Sequence, residues 1–376
     1  MKFTLKSISN VISYIFANLL LITIWISSVF SLETRAQSNL SEDVLRFVKL
    51  NANGVPLIDQ NLSYDKSSWS CVKDNTTHLI WEIKTNDGSF RDQHNTYTYN
   101  INKKIVTERI SDISCKANPC DVLSYLSWIN KIKLCGANDW RVPSREELRS
   151  IVNYHTAYPG PTIYKKFFPN TASQFYWSST ADASEVGSNW GIGFAFGYDY
   201  SYDKSARVSL RLVRGKPLLI NDASNLHECR NNDSSIKDRE FRFIENNDSS
   251  VTDKITGLTW MRCAVGQHWT GNTCLGEATK MSRMAAIDLV ATNMEFKGKW
   301  LLPTLQQLST IVENKCFNPA LTLSIFSSTP AANFWSSTPF ANPGNFYWQI
   351  NFQYGENTIG GSDDLAYVRL IKTPEH

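Results

Sequence analysis

Two stretches of the chain, residues 140–152 and 300–312, repeat one pattern of apolar and polar positions. Each stretch begins with a tryptophan, and a proline follows three residues later. Apolar side chains then recur at the spacing of one helix face. They are Leu148, Ile151 and Val152 in the first stretch, and Leu308, Ile311 and Val312 in the second. The pattern predicts two short helices, each with one apolar stripe to bury.

The start of each predicted helix has the residues of a capping box. Ser144 or Thr304 follows the proline, and Glu147 or Gln307 comes three residues later. The hydroxyl accepts a backbone N–H of the first turn, and the Glu or Gln side chain bonds back to the cap residue. The stretch contains neither a nucleophile with a base nor a set of metal ligands. We therefore interpret it as a structural element.

The repeat extends over most of the chain. Three further pairs of segments match: 72–81 with 251–260, 176–180 with 334–338, and 209–213 with 367–371. The first pair predicts a strand, a turn and a strand, with Gly257 suited to a positive φ. We therefore predict a first domain at 37–215, a linker at 216–239 and a second domain at 240–374. Each domain is expected to bury its own core, with Trp140 and Trp300 at equivalent places.

The remaining pattern predicts one more helix and a sheet in each half. Asp121 is a cap for a helix over 121–132, and Ser282 is a cap for its counterpart over 281–292. Short aromatic strands lie at 190–202 and 346–354, and the second of these alternates with a period of two. About two helices and a curled antiparallel sheet in each half predict an α+β fold.

The first 36 residues have the composition of an export segment. Lys2 and Lys6 precede an uncharged apolar run from Val11 to Phe30, and Ala36 ends a possible cleavage site. The run is long for a cleaved signal peptide and almost long enough to span a bilayer. A signal peptide and an uncleaved N-terminal anchor both remain open. Either one predicts an extracytoplasmic location, with membrane contact only through this segment if it is uncleaved.

The charge balance limits the class of partner. Without residues 1–36 the chain has 35 basic and 34 acidic residues, and it has no run of five basic residues. Binding to nucleic acid through net charge is therefore not expected.

Eight cysteines follow the export segment, which predicts disulfides in an oxidising compartment. None has Cys-x-x-Cys spacing, and the histidines do not cluster with them, so neither a metal site nor a cofactor is predicted. Eight cysteines allow 105 connectivities. Our prediction is two bridges in each half, a short and a long one: Cys115–Cys120 with Cys71–Cys135, and Cys263–Cys274 with Cys229–Cys316.

The aromatic strands supply the candidate ligand-binding residues. Tyr198, Tyr200 and Tyr202 alternate with Asp199 and Asp203, so one face of that strand is aromatic and the other polar. Rings against sugar faces, with polar groups for the hydroxyls, are typical of carbohydrate sites. The structural alternative is that the tyrosines pack on the sheet while the acids form turn bonds. Secondary candidates are Trp190, Trp348 and Tyr354.

Two other kinds of chemistry are less favoured by the residues. Asp199 and Asp203 are oxygen ligands suited to Ca²⁺, but the Glu-Pro-Asn and Trp-Asn-Asp signatures of calcium-dependent lectins are absent. Glu146 and Glu147 diverge by about 100° on a helix, so they do not form a catalytic pair. All eight cysteines can be paired, which leaves no reactive thiol. We therefore expect a non-catalytic protein.

At these blocks the sequence resembles the family named after the C-terminal domain of a Legionella collagen-like protein. The resemblance is carried by the repeated segments above, including 139–148, 176–179, 208–215, 256–263, 300–303, 334–337 and 368–370. It implies tandem C-type-lectin-like domains and an attachment function, because the named member is an adhesin for sulfated polysaccharides.

This chain lacks the Gly-X-Y collagen tract and the basic excess of that adhesin. The expectation is therefore extracellular recognition of a polysaccharide or a host or cell-surface glycan, with the ligand open. The alternatives are a structural part of a surface assembly or an enzyme on a formylglycine-generating-enzyme-like scaffold.

Overall fold

The computed structural model describes residues 45–99, 121–218, 227–229, 242–296 and 299–372. The predicted export segment, most of the predicted linker and the predicted Cys115–Cys120 bridge lie outside these residues. Among the described residues, no helix has both the length and the apolar character needed to cross a membrane.

The described part of the first half contains helix α1 (Val122–Lys131), helix α2 (Arg145–Ser150) and two antiparallel sheets. The four-stranded sheet has the order β1-β2-β3-β7, and the three-stranded sheet has the order β4-β5-β6. Their bounds are β1 Phe47–Leu50, β2 Cys71–Asp74, β3 Ile80–Glu82, β4 Phe175–Ala181, β5 Ser188–Gly193, β6 Tyr198–Asp203 and β7 Val213–Arg214.

The second half repeats this order of elements. Helices α3, Arg283–Thr292, and α4, Leu305–Ser309, correspond to α1 and α2. The sheets are β9-β10-β11-β18 and β15-β16-β17. Their bounds are β9 Phe243–Glu245, β10 Ser250–Asp253, β11 Thr259–Met261, β15 Asn333–Pro339, β16 Phe346–Asn351, β17 Glu356–Gly361 and β18 Ile371–Lys372. Short pairs complete the half: β8 His227–Glu228 with β14 Cys316–Phe317, and β12 His268–Trp269 with β13 Cys274–Leu275.

The predicted local signals form as expected. Both capping boxes are complete, and Asp121 and Ser282 cap α1 and α3 through their side chains. The two predicted hairpins share one register, with Val72 opposite Trp81 and Val251 opposite Trp260. Gly257 has a φ of 70°. Few helices and several small antiparallel sheets make the described chain an α+β protein.

The repeat extends to buried polar side chains. Arg211 is fully buried and donates from Nη2 to Thr171 Oγ1 over 2.7 Å. Arg369 is also fully buried and donates from Nη2 to Thr329 Oγ1 over the same distance. Desolvation lowers the pKa of Arg369 to about 9. A buried guanidinium needs hydrogen-bond acceptors, and both copies supply the same one.

The core differs from the expectation of two separate cores. One apolar cluster around Trp140 and Leu210 belongs to the first half, and one around Trp300 and Leu370 belongs to the second. The largest cluster contains residues of both halves, from Phe47 to Ile371. Both tryptophans are buried as expected, but the halves also share a core.

Three predicted disulfides are present among the described residues. They are Cys71–Cys135, Cys229–Cys316 and Cys263–Cys274, with Cα–Cα distances of 6.5, 5.0 and 5.5 Å. Disulfides persist in oxidising compartments, so they indicate a location outside the cytoplasm.

Candidate functional site

A row of aromatic side chains crosses the sheet β4-β5-β6. Tyr198, Tyr200 and Tyr202 occupy alternate positions of β6, so they share one face. Gly191 of the central strand β5 lies on the same face. A Cβ added to Gly191 would lie 2.5 Å from a ring carbon of Phe175. The missing side chain allows the Phe175 ring to reach β6, 4.6 Å from Tyr202 and 6.3 Å from Tyr200 between centroids.

The row continues beyond the strand. Phe196 lies 6.0 Å from Tyr198, and Tyr158 stacks on Phe196 at 4.5 Å with an interplanar angle of 13°. Tyr158, Tyr200 and Tyr202 are 57%, 51% and 43% exposed. We call these six side chains the aromatic row: Tyr158, Phe175, Phe196, Tyr198, Tyr200 and Tyr202.

The equivalent described strands of the second half carry no such row. The residues of β17 at the positions of the three tyrosines are Glu356, Thr358 and Gly360, and Asn333 begins β15 where Phe175 begins β4. Since the second half forms the same sheet without these rings, the rings are not required by the fold.

One end of the aromatic row is part of the contact between the halves. Tyr198 is half-buried, with its ring 4.9 Å from Trp348 and 6.0 Å from Phe340. Burial raises the pKa of Tyr198 to about 12. Trp348 itself is 1% exposed, so this candidate is a core residue of the interface.

The carboxylate of Asp199 is paired with two arginines inside the protein, which the sequence pattern did not predict. Its carboxylate accepts hydrogen bonds from Arg145 Nε and Nη2, at 2.9 and 2.6 Å, and also pairs with Arg149. All three side chains are buried. Desolvation alone would raise the pKa of Asp199, but the two guanidiniums outweigh it and lower that pKa.

The interpretation of Asp199 as a sugar or Ca²⁺ ligand is therefore corrected, because the carboxylate is used inside the protein. No group of three or more His, Cys, Asp or Glu side chains in the described part of the chain is placed to hold a metal ion.

The remaining candidates divide between interior and surface. Trp190 is buried, with the guanidinium of Arg145 3.7 Å from its ring centroid, so it too is not an exposed contact. Asp203 is exposed and accepts the N–H of Ser205 over 2.8 Å, which is the turn bond of the structural alternative. Tyr354 is 36% exposed and stacks on Phe317.

A shallow groove lies between the two halves. It encloses no space large enough for a water molecule, so it is a surface depression and not a pocket of the 300–1,000 Å³ typical of small-molecule sites. The first half contributes Asp182, Ala183 and Trp190, and the second contributes Asn314, Cys316, Phe317 and Tyr354. Asp182 and Asn314 stand in no recognisable sequence motif, so the pattern of residues does not indicate them.

A second cluster of titratable groups is enclosed in the first half. Glu82 accepts hydrogen bonds from Lys84 and Tyr125, and all three are buried. Desolvation lowers the pKa of Lys84 to about 8, although Glu82 opposes the shift. The cluster does not line the groove between the halves, so we interpret it as a buried polar network.

Comparison with known proteins identifies the family. The sequence profile of the Lcl C-terminal domain matches residues 70–214 and again 249–372. The chain therefore belongs to the Lcl C-terminal domain family and contains two copies of the domain. No curated protein matches the chain.

Proposed function

We propose that this member of the Lcl C-terminal domain family is a non-catalytic surface or secreted protein that attaches to a glycan through the aromatic row. The family and the disulfides support a cell-surface or secreted protein. We also propose that each copy of the domain has the C-type-lectin-like fold that the family resemblance implies.

The single observation that carries the proposal is the exposure of the row. Large aromatic side chains usually bury most of their surface, yet Tyr158, Tyr200 and Tyr202 remain about half exposed. Tyr200 and Tyr202 lie beside Phe175, and Tyr158 lies beside Phe196. Contiguous exposed apolar surface of this kind is typical of interaction sites. The equivalent strand of the second half, β17, lacks these rings, so the fold does not need them.

Rings with hydroxyls suit an uncharged sugar chain better than a sulfated one. The ring faces contact the apolar faces of sugars, and the tyrosine hydroxyls exchange hydrogen bonds with sugar hydroxyls. The nearly balanced charge of the chain after residue 36 gives no general attraction to a polyanion. We therefore expect attachment to depend on ring contacts and to change little with salt.

The test is a glycan array probed with the oxidised chain, followed by titration of the best ligand against the double variant Tyr200→Ala/Tyr202→Ala. Tyr198 is left unchanged because it packs between the halves. Each ring contributes on the order of 1 kcal/mol beyond its buried area, so the double variant should bind at least about tenfold more weakly.

Phe346→Ala is the matched control, because Phe346 is an exposed ring on the sheet of the second half. It should bind like the unchanged chain. Normal binding by the double variant, together with a collapse of binding as salt rises, would instead support a charged surface assembled elsewhere. An array with no binding at all would favour a structural role in a surface assembly.

A further inference from the structure

The aromatic row is a continuous chain of ring contacts with an exposed tyrosine at each end. Neighbouring centroids lie 4.5 to 6.3 Å apart in the order Tyr158, Phe196, Tyr198, Tyr200, Phe175 and Tyr202. Tyr158 and Tyr202 at the ends are 57% and 43% exposed, and Tyr200 between them is 51% exposed. A ligand on this surface therefore meets three separate exposed rings.

Strand β6 sets the direction and the length of the row. Tyr198 and Tyr202 are four residues apart on this strand, which places their Cα atoms about 13 Å apart. Phe196 belongs to the turn before β6, and Tyr158 stacks on it, so the row continues past the start of the strand. A pyranose ring is similar in size to a tyrosine ring. A glycan that reaches both ends of the row therefore contains several sugars.

The central strand keeps this surface flat. Gly191 and Gly193 of β5 stand between β4 and β6 on the face of the row, and neither has a side chain. The equivalent residues of the second half are Gln349 and Asn351. In that half the Gln349 amide lies over Gly360, where an added Cβ would be 2.3 Å from Nε2. The first half thus has a low apolar surface where the second has amide side chains.

The strands under the row favour an uncharged ligand. β4 and β5 contain no charged residue. The charged residues of β6, Asp199 and Asp203, alternate with the tyrosines, so strand geometry places them on the opposite face. A sulfate or carboxylate on the row would lose water without gaining a partner from these strands, which costs free energy.

The openness of the row favours sugars from the interior of a chain. A site for one small ligand usually encloses it in a concave pocket with a few converging polar groups. The exposed rings of the row instead stand on an open surface. A polysaccharide can enter such a surface at one end and leave it at the other, so its chain ends are not needed for binding.

We propose that the aromatic row binds the interior of an unbranched, uncharged β-1,4-linked pyranose chain along several consecutive sugars. The inference rests on the proposed glycan attachment and names the shape of the ligand. Equatorial β-1,4 linkages give a straight ribbon whose sugars present their C–H faces to aromatic rings. An α-1,4-linked chain coils instead, so it leaves a straight row after a short contact.

The probes are cello-oligosaccharides and N-acetylated chito-oligosaccharides of two to six sugars, titrated calorimetrically against the oxidised chain. Both series are neutral and β-1,4-linked. Malto-oligosaccharides of the same lengths are the control ligands, because they differ from the cello series only in the linkage. In at least one β-linked series the hexasaccharide should bind at least about tenfold more tightly than the disaccharide, since it contacts more rings. Maltohexaose should bind at least about tenfold more weakly than that hexasaccharide.

The two ends of the row supply the variants. Tyr158→Ala/Tyr202→Ala removes both exposed ends and leaves Tyr200 in place. The hexasaccharide should lose at least about tenfold in affinity, and the disaccharide should lose much less, so that affinity no longer rises with length. Tyr354→Ala is the matched control, because Tyr354 is an exposed tyrosine outside the row. It should keep the dependence on length, and unfolding midpoints confirm that each variant is folded.

Three results would overturn the inference. Affinities that do not rise with chain length would assign the row to a single sugar. Equal binding of the α- and β-linked series would show that the shape of the chain is not recognised. Binding of other glycans through Tyr200 and Tyr202, with neither β-linked series bound, would remove the inference and leave the proposed function. Failure of every glycan to bind removes the proposed function itself.

Discussion

Asp199 and Asn357 occupy equivalent positions in the two copies of the domain, and they contact each other where the copies meet. The N–H of Asp199 donates to Asn357 Oδ1 over 2.8 Å, and Asn357 Nδ2 donates to the carbonyl of Gly197 over 2.9 Å. Arg149 makes the reciprocal contact, from Nη2 to the carbonyl of Gly355 over 2.8 Å. The two copies are thus joined through the same edge of their sheets, by different side chains.

Asp199→Asn should strongly destabilise the protein. The change removes the one carboxylate that pairs with both Arg145 and Arg149. Breaking a buried ion pair from one side costs about 3–5 kcal/mol, because the remaining charge stays buried without a counterion. Urea unfolding followed by tryptophan fluorescence measures the loss. The exposed Asp203→Asn should leave the midpoint almost unchanged, and an equally small effect at Asp199 would show that the pair contributes little.

Asn357→Ala should weaken the contact between the copies. It removes the bonds to the Asp199 N–H and the Gly197 carbonyl and leaves these buried groups without that partner. Such a loss costs about 1–3 kcal/mol. Differential scanning calorimetry should show a lower unfolding temperature. Thr358→Ala, on the same strand, is the control, and an unchanged Asn357→Ala profile would mean that the shared apolar core alone holds the copies together.

Glu356→Gln should stabilise the protein at neutral pH. The folded state raises the pKa of Glu356 above its unfolded value, mainly through burial. The contribution of Glu356 to the free energy of unfolding is therefore fully present below an unfolded pKa of about 4.3. It is lost as the pH rises through the folded pKa. Thermal unfolding at pH 7 and near pH 4 tests this. The gain over the unchanged chain should be present at pH 7 and shrink near pH 4, whereas a gain that grows on acidification contradicts the assignment.

Acid should destabilise the protein through Asp199. The two guanidiniums lower the folded pKa of Asp199 against the opposing effect of burial. Its stabilising contribution is therefore present above an unfolded pKa of about 3.9 and is lost as the pH falls through the folded pKa. Unfolding midpoints below pH 4 should fall more steeply for the unchanged chain than for Asp199→Asn. Parallel curves would assign acid sensitivity to other groups.

No thiol should be free in the oxidised chain. Six of the eight cysteines form three bridges in the described residues, and Cys115 and Cys120 are predicted to form the fourth. Alkylation of the unreduced, denatured protein followed by mass measurement should detect no adduct. Labelling at Cys115 and Cys120 alone would show that the predicted fourth bridge does not form. Labelling at other cysteines would contradict the observed pairing.

The sequence alone determined the local structure and the repeat. Capping boxes, hairpin registers and helix caps depend on residues within a few positions of one another, so their signals are complete in short segments. Duplication of the whole pattern then indicated two copies of one domain. The three described disulfides followed from the assumption of one short and one long bridge in each half.

Only the tertiary structure decided how the copies meet and which aromatic residues stay exposed. Tyr198 and Tyr200 are equivalent in the pattern of their strand, yet Tyr198 packs on Trp348 while Tyr200 faces solvent. Alternation assigns side chains to a face, but it does not say whether another domain covers that face. Asp199 shows the same limit, since its partner guanidiniums are about 50 residues away in sequence. Contacts of such long range depend on packing, which a local pattern does not encode.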